Sequence, residues 1–369
     1  MTSFDFRPRT RVIFGAGEVA RLGEVARDLG GTRCLLVADQ SLVASGYVQE
    51  ALRSLKARRM EAFGLHDLDG GLTSAVIDRA ASAAAPLNVN LIVGLGDHTS
   101  IDCARGINFI VTNGGSMKDY WGYGRATRPL LPMIAIPVTA GSGCEARTSA
   151  RILDSDTGLN MTAGDAKAAF RAAILDPDLT ASQPAEVAAA TGYDALAHAI
   201  ETLVSLRRTA LSDCFAFEAW RLLNANFERT LSDPGDLDAR GAMLAGAHFA
   251  GLAVEHSTLG AAHACAYAIS ERYDVAHGAA LALVLRHVVA WNLGIARAQY
   301  ENLRCADLPG RLRDLAAAAK LPGALRDAGV PEEALPRLAE QAAAQWVGRF
   351  NPQPFDREAA LEILRNAYS

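Results

Sequence analysis

An α/β N-terminal domain built on a Rossmann-like parallel sheet, followed by an all-α C-terminal domain, is the architecture this sequence predicts. In the first half, short apolar runs rich in β-branched residues alternate with helical patterns, the mark of a parallel sheet with crossover helices. From about Pro184 onward the strand signals stop, and long Ala/Leu-rich segments at helical spacing take over. At 369 residues, 50% of them hydrophobic, the chain can bury a large core and exceeds the usual size of one domain.

The strands are expected at RVIFGAG, CLLVAD, LNVNLIVGLG and MIAIPVT, with helices between them. The segment ILDPDLTASQP carries two prolines among turn formers, which sets the expected domains at 1–182 and 183–369. Beyond it, EVAAATGYDALAHAIETLVS, ALSDCFAFEAWRLLNANFERTL and LDARGAMLAGAHFAGLAVEHS read as helices. The Ala-rich DLAAAAKLPGALRDAG is good helix composition rather than disorder.

A formal charge of −5, from 36 basic and 41 acidic residues mixed along the chain, provides no positive field to attract nucleic acid or an anionic membrane. The opening MTSFDFRPRT has no apolar core after its basic residues, and no later stretch reads as a membrane span, so a cytoplasmic protein is expected. Six cysteines without a C-x-x-C pair fit reduced thiols better than disulfides or a thiolate zinc site.

Two glycine loops compete as phosphate cradles. Gly15, Gly17 and Ala20 follow the strand RVIF, and Asp39 closes CLLVAD about twenty residues later, which is the Rossmann fingerprint by pattern. The alternative is a tight strand-to-helix turn that merely needs glycine. The second loop, Gly94-Leu-Gly96-Asp97-His98-Thr99, ends a buried strand and opens a helix whose first N–H groups form an anion site.

In the second half, Asp194 and His198 stand four apart on a helix, so both side chains project from one face. His263 and His277 follow in GAAHACAYAISERYDVAHG. Three imidazoles and a carboxylate suit a borderline ion such as Fe2+ or Zn2+, with room for a substrate oxygen. Spacing alone leaves each histidine open to a purely structural reading.

Taken together with TAGSGCE (139–145), DPDLT (176–180) and DALAHAIE (194–201), these segments resemble the iron-containing, group III alcohol dehydrogenases in order and spacing over roughly residues 8 to 300. The resemblance implies the dehydroquinate synthase-like fold of that family. It also implies one divalent metal, Fe2+ or Zn2+, on Asp194, His198, His263 and His277, since D-x-x-x-H, G-x-x-H and H-G match at Asp194, His198, Gly260, His263, His277 and Gly278. By the same resemblance the dinucleotide diphosphate sits on the loop Gly96, Asp97, His98 and Thr99. Asp39 then contacts the adenosine ribose and favours NAD over NADP, and Thr139 and Ser142 approach the phosphates; the early Gly15 loop becomes only a turn. The implied activity is an NAD(H)-linked alcohol dehydrogenase or aldehyde or ketone reductase, with the substrate oxygen on the metal, hydride exchanged with nicotinamide, and a homodimeric enzyme acting on a small molecule.

The chain departs from the family at several places. Asp97 stands where the family has glycine, and a carboxylate 4–6 Å from a diphosphate is opposed by on the order of several kcal/mol at an effective dielectric near 20. A protonated His98 offsets part of this; alternatively Asp97 caps the helix itself or turns to solvent. Tyr267 replaces a histidine of the proton route four residues after His263, and with His277 it forms the expected catalytic pair. Asn160 replaces a lysine, with Lys167 or Arg171 nearby, and Arg286 replaces a proline. Arg286, Lys167 or Arg171 are candidates to meet an anionic substrate group. The histidines 66, 248 and 287 match no ligand position, and His256 replaces an asparagine near the site. The alternative reading is a metal-dependent non-redox enzyme, a lyase or hydratase, that has lost dinucleotide binding.

Overall fold

The computed structural model describes residues 4–68 and 71–369, and within them the chain forms two compact units. One comprises Phe6–Thr139 and Cys144–Ser182; the other is Gln183–Ser369 with Ala140–Gly143 and, at the N-terminus, residues 4–5.

The first unit carries the strands β1 (Arg11–Phe14), β2 (Arg33–Ala38), β3 (Glu61–Leu65), β4 (Leu91–Gly96), β5 (Gly122–Tyr123), β6 (Met133–Pro137), β7 (Ser149–Leu153), β8 (Asn160–Gly164) and β9 (Ala172–Leu175). Six of them form a sheet in the order β1-β9-β6-β4-β2-β3, every pair parallel. Its helices are α1 (Leu22–Asp28), α2 (Gln40–Ala44), α3 (Tyr47–Ala57), α4 (Ser74–Ala84), α5 (His98–Asn113) and α6 (Pro177–Thr180). Both faces of the sheet are buried, which is why the central strands read as unbroken apolar runs. Leu36, Val93 and Ile134 pack on one side with Leu22, Val25 and Leu55; Leu35, Ile92 and Met133 pack on the other with Ile77, Ile101 and Ile107. A smaller sheet, β5-β8-β7, was not foreseen, nor were β3 and β9. EAFGL lacks β-branched residues, and AAIL is followed at once by turn chemistry, so neither carried a strand signal.

A buried guanidinium holds part of this unit together. Arg105 is fully buried on α5, pairs with Asp102, and donates to the carbonyls of Cys144, Arg147, Ser149 and Ala168. Five donors with matched acceptors make the burial of that charge tolerable.

The second unit is helical: α7 (Ala185–Val204), α8 (Ala210–Ser232), α9 (Leu237–Glu255), α10 (Ala261–Ser270), α11 (His277–Glu301), α12 (Leu308–Ala318), α13 (Leu335–Ala344) and α14 (Arg357–Asn366). Starts are marked by side-chain caps such as the Thr209 and Ser212 box of α8, Asp236 of α9 and Asp356 of α14. Tyr193, Leu196, Ile200, Leu223, Phe227 and Leu281 lie in the common core. One expectation needs correction: α11 is long and apolar enough to cross a membrane. Its apolar stretch is 61% buried within the protein, so that composition is accounted for by packing against α7, α10 and α12.

Candidate metal centre and switch-point loops

Asp194 lies in the middle of α7, and His198 follows one turn later on the same face. His263 sits in the first turn of α10, and His277 is the first residue of α11. What brings α11 against α7 is Gly278. A Cβ there would stand 1.8 Å from the Ala190 carbonyl oxygen, so only glycine permits this approach.

The four side chains converge on one oxygen. Asp194 Oδ1 is 3.6 Å from His198 Nε2, 3.5 Å from His263 Nε2 and 4.0 Å from His277 Nε2. A tetrahedral ion with bonds of about 2.1 Å separates its ligand atoms by roughly 3.4 Å, so this spacing fits an ion and is too long for hydrogen bonds. Asp194 Oδ1 and His263 Nε2 are both buried and have no hydrogen-bond partner. A buried polar atom left in that state is costly unless something else satisfies it, and a cation does so. Ligand atoms of Asp194, His263 and His277 all lie within 4.8 Å of one another. His198 joins them by stacking on His263, with ring centroids 4.7 Å apart and planes at 13°.

Electrostatics follow the same geometry. Burial by itself would push the Asp194 carboxyl up, but the imidazoles around it, His198 foremost, hold it well below the usual carboxylate range. Burial would likewise lower His263, yet the Glu201 charge and the contacts with Asp194 and Glu201 outweigh it and raise the imidazole to about 10.

The site is open on one side. His263 is 0% exposed, whereas the His277 side chain is 32% exposed. Tyr267 stacks on His277, its ring 5.0 Å away at 15°, and its ring is 5.8 Å from that of His263.

Glu201 is the site residue that had no role in the sequence reading. It continues the face of Asp194 and His198 at the next turn, is buried, and receives His263 Nδ1 at 2.5 Å. The spacing of 194, 198 and 201 was the available signal.

In the sheet unit, Asp39 follows β2, Gly96 ends β4 and Thr139 follows β6, three adjacent parallel strands. The chain leaves β2 toward β3 on one side and leaves β4 toward β6 on the other, so the C-terminal ends of β2 and β4 flank the topological switch point where α/β sheets bind ligands. Gly96 has φ +145°, and a Cβ would meet Ser100 Oγ at 2.6 Å. Ser100 Oγ accepts from Asp39 N at 3.1 Å, tying the two strand ends together. Asp97 is the N-cap of α5: Oδ1 accepts from Thr99 N at 2.8 Å and Ser100 N at 3.4 Å, with His98 Nδ1 3.8 Å from Oδ2. Of the outcomes considered for Asp97, the helix cap is the one observed. Asp39 is likewise an N-cap, accepting from Ser41 N at 2.8 Å. Ser142 lies in the segment grouped with the helical unit, where Gly143 abuts Gly251 of α9.

The early Gly15 loop is a turn. Its N–H groups at Gly17 and Val19 donate to the buried Asp176 carboxylate at 3.1 and 2.9 Å, which explains the DPDLT motif and fills the cradle with an acid. Two of the three cations expected to meet an anionic substrate group have partners. Lys167 Nζ is held by Asp165 and the Ala126 carbonyl. Arg286 Nε donates to His287 Nε2 at 3.0 Å, and burial with that neighbouring charge pushes His287 down to about 4. Arg171 is exposed before β9, and Asn160 pairs with Leu153 in the small sheet. Among the remaining histidines, His66 contacts the Ala38 carbonyl, His248 is buried beside Phe249, and His256 ends α9 against Phe215.

Comparison with known proteins gives a consistent answer along the chain. A family model described as iron-containing alcohol dehydrogenase matches residues 8–177, and one described as its C-terminal part, the Fe-containing alcohol dehydrogenase family, matches residues 188–368. The chain is 28% identical to the NAD-dependent methanol dehydrogenase of Bacillus methanolicus, over 100% of both chains. It is 29% identical to the 1,3-propanediol dehydrogenase of Klebsiella pneumoniae, over 99% of both. A solved 1,3-propanediol oxidoreductase superposes with a TM-score of 0.94 at 27% identity, covering 100% of each chain.

Proposed function

The chain belongs to the iron-containing alcohol dehydrogenase family, and from that membership we propose an NAD(H)-linked, metal-dependent dehydrogenase that interconverts a small alcohol with its aldehyde or ketone. The observation that carries the reading is the single buried carboxylate oxygen facing three imidazole nitrogens at 3.5–4.0 Å. Asp194, His198, His263 and His277 are the residues we assign to a divalent ion, iron or zinc. Such an ion supplies a Lewis acid that lowers the pKa of an alcohol and polarises a carbonyl. Everything else falls to the chain itself. His277 leaves the exposed side of the cluster open to substrate, and Tyr267, stacked on it, is assigned to proton transfer through its hydroxyl. For the cofactor, the switch point supports placing the ribose at Asp39 and the diphosphate at the start of α5, with Thr139 beside it.

A cytoplasmic homodimer is part of the proposal. β1 is an edge strand whose Val12 and Phe14 are 44% and 52% exposed, an apolar patch that a second copy would cover.

One observation favours a second reading. Asp97 already occupies N–H groups that a diphosphate would use, as it would in a non-redox metal lyase or hydratase that no longer takes the dinucleotide. Titrating NADH and NADPH into metal-loaded protein, followed by NAD reduction with a panel of small alcohols, separates the two. Saturable NADH binding and metal-dependent change in the nicotinamide band support the dehydrogenase. Bound metal with no nucleotide binding sinks it in favour of the second reading.

A further inference from the structure

We propose that Glu201 is the positioning residue of the metal centre: it fixes the proton of His263 on Nδ1, so that Nε2 is presented to the ion, and it supplies the second negative charge of the site. This rests on the metal reading above and extends it to a residue outside the four ligands.

Glu201 is 3% exposed, and both its carboxylate oxygens meet the first turn of α10. Oε1 accepts from Ala262 N at 2.6 Å; Oε2 accepts from His263 N at 3.3 Å and stands 2.5 Å from His263 Nδ1. Gly260, the N-cap of α10, has no side chain with which to cap, and Ala261 N reaches only Asn351 Oδ1 at 3.5 Å. The first turn of α10 is therefore capped from outside by an acid one turn below His198 on α7. Because the same carboxylate takes two backbone N–H groups and the ring N–H, the His263 ring has no freedom to turn over. A carboxylate acceptor requires a proton on Nδ1, which leaves the Nε2 lone pair aimed at Asp194 Oδ1, 3.5 Å away.

Charge leads to the same conclusion. A divalent ion among Asp194 and three neutral imidazoles leaves one uncompensated positive charge in a site whose Asp194 and His263 are 9% and 0% exposed. Glu201, in direct contact with His263, brings the sum to zero.

The substitution Glu201→Gln keeps shape and volume but makes every arrangement frustrated. With its oxygen toward Ala262 N, the amide presents N–H to His263 and asks Nδ1 to accept, which moves the proton to Nε2. With the amide reversed, two donors face each other at Ala262. Cobalt and zinc affinities, measured against a competing chelator, are expected to fall about 10–100-fold in E201Q. A residue that only caps α10 predicts lower thermal stability of the metal-free protein with metal affinity unchanged, and that result overturns the inference. A second measurement does not depend on the variant folding: nitrogen-15 histidine NMR of the zinc-loaded natural protein. His263 should bind through Nε2, with an exchange-protected Nδ1 proton; ligation through Nδ1, or an Nδ1 proton in free exchange, overturns the inference. Natural protein that takes up neither zinc nor cobalt overturns the metal reading itself. Equal uptake by natural protein and E201Q overturns only the role given to Glu201.

Discussion

At Asp97 one side chain serves stability and opposes a ligand at the same time. Its carboxylate satisfies Thr99 N and Ser100 N, a cap worth about 1 kcal/mol, while placing negative charge at the switch point. Serine caps equally well without the charge. Asp97→Ser is therefore expected to tighten NADH binding by about tenfold or more while leaving the melting temperature nearly unchanged; calorimetric titration beside thermal melting checks this, and unchanged affinity would remove Asp97 from the cofactor argument. His263 gives a second prediction. Its imidazole is raised to about 10 in the absence of metal, so at neutral pH a proton is held there and an incoming ion must displace it. Apparent metal affinity should rise by about one decade per pH unit between pH 6 and 8. A flat profile in chelator-buffered titrations would mean that His263 is already neutral or does not bind the ion. These residues also show what could be read from the chain. Asp194, His198, His263 and His277 were expected together from the family resemblance, since spacing alone left each histidine open, and the structure brings the four side chains to one place. Glu201 shares the helix face of Asp194 and His198, but its partner is the start of a helix some sixty residues later, so the shared face alone gave it no role.

Elements meet at the site through backbone approach as much as through side chains. Gly278 lets α11 rest on α7 with the Ala190 carbonyl where a Cβ would stand, and His277 beside it is carried toward Asp194 by the same contact. Gly278→Ala must push the two helices apart, and a loss of roughly 3 kcal/mol of stability is expected, together with weakened metal binding, in denaturant melts and metal titrations. Normal stability and normal uptake would show that α11 has slack which the static packing does not reveal. Helices of the second unit were legible because Ala/Leu periodicity runs for many turns and acids or hydroxyls mark their starts. Some short strands were not. β3 and β9 are specified by neighbours in the sheet rather than by their own residues, and α11 passed unnoticed as a span-length helix because its apolar residues point into a protein core.

For the whole molecule, the assignment of two chemistries to two compact units makes a spatially resolved prediction. The proposed metal ligands all lie in Gln183–Ser369, while Asp39, Gly96, Asp97, His98, Thr99 and Thr139 lie in the sheet unit. A ligand stabilises the elements that must be ordered to bind it, by about 4 kcal/mol at a concentration a thousand times its dissociation constant. Hydrogen exchange read by mass spectrometry should therefore respond separately. Zinc alone should slow exchange in α7, α10 and the start of α11, while the ends of β2 and β4 and the first turn of α5 stay as they were. NADH alone should do the reverse, slowing exchange at Asp39–Ser41 and at Thr99 and Ser100, whose N–H groups now face Asp97. Protection by NADH confined to the turn at Gly17 and Val19 would contradict the placement, since there the buried Asp176 must first be displaced. Protection by zinc in the sheet unit, without change at α10, would remove His263 and Glu201 from the metal centre and require a different set of ligands.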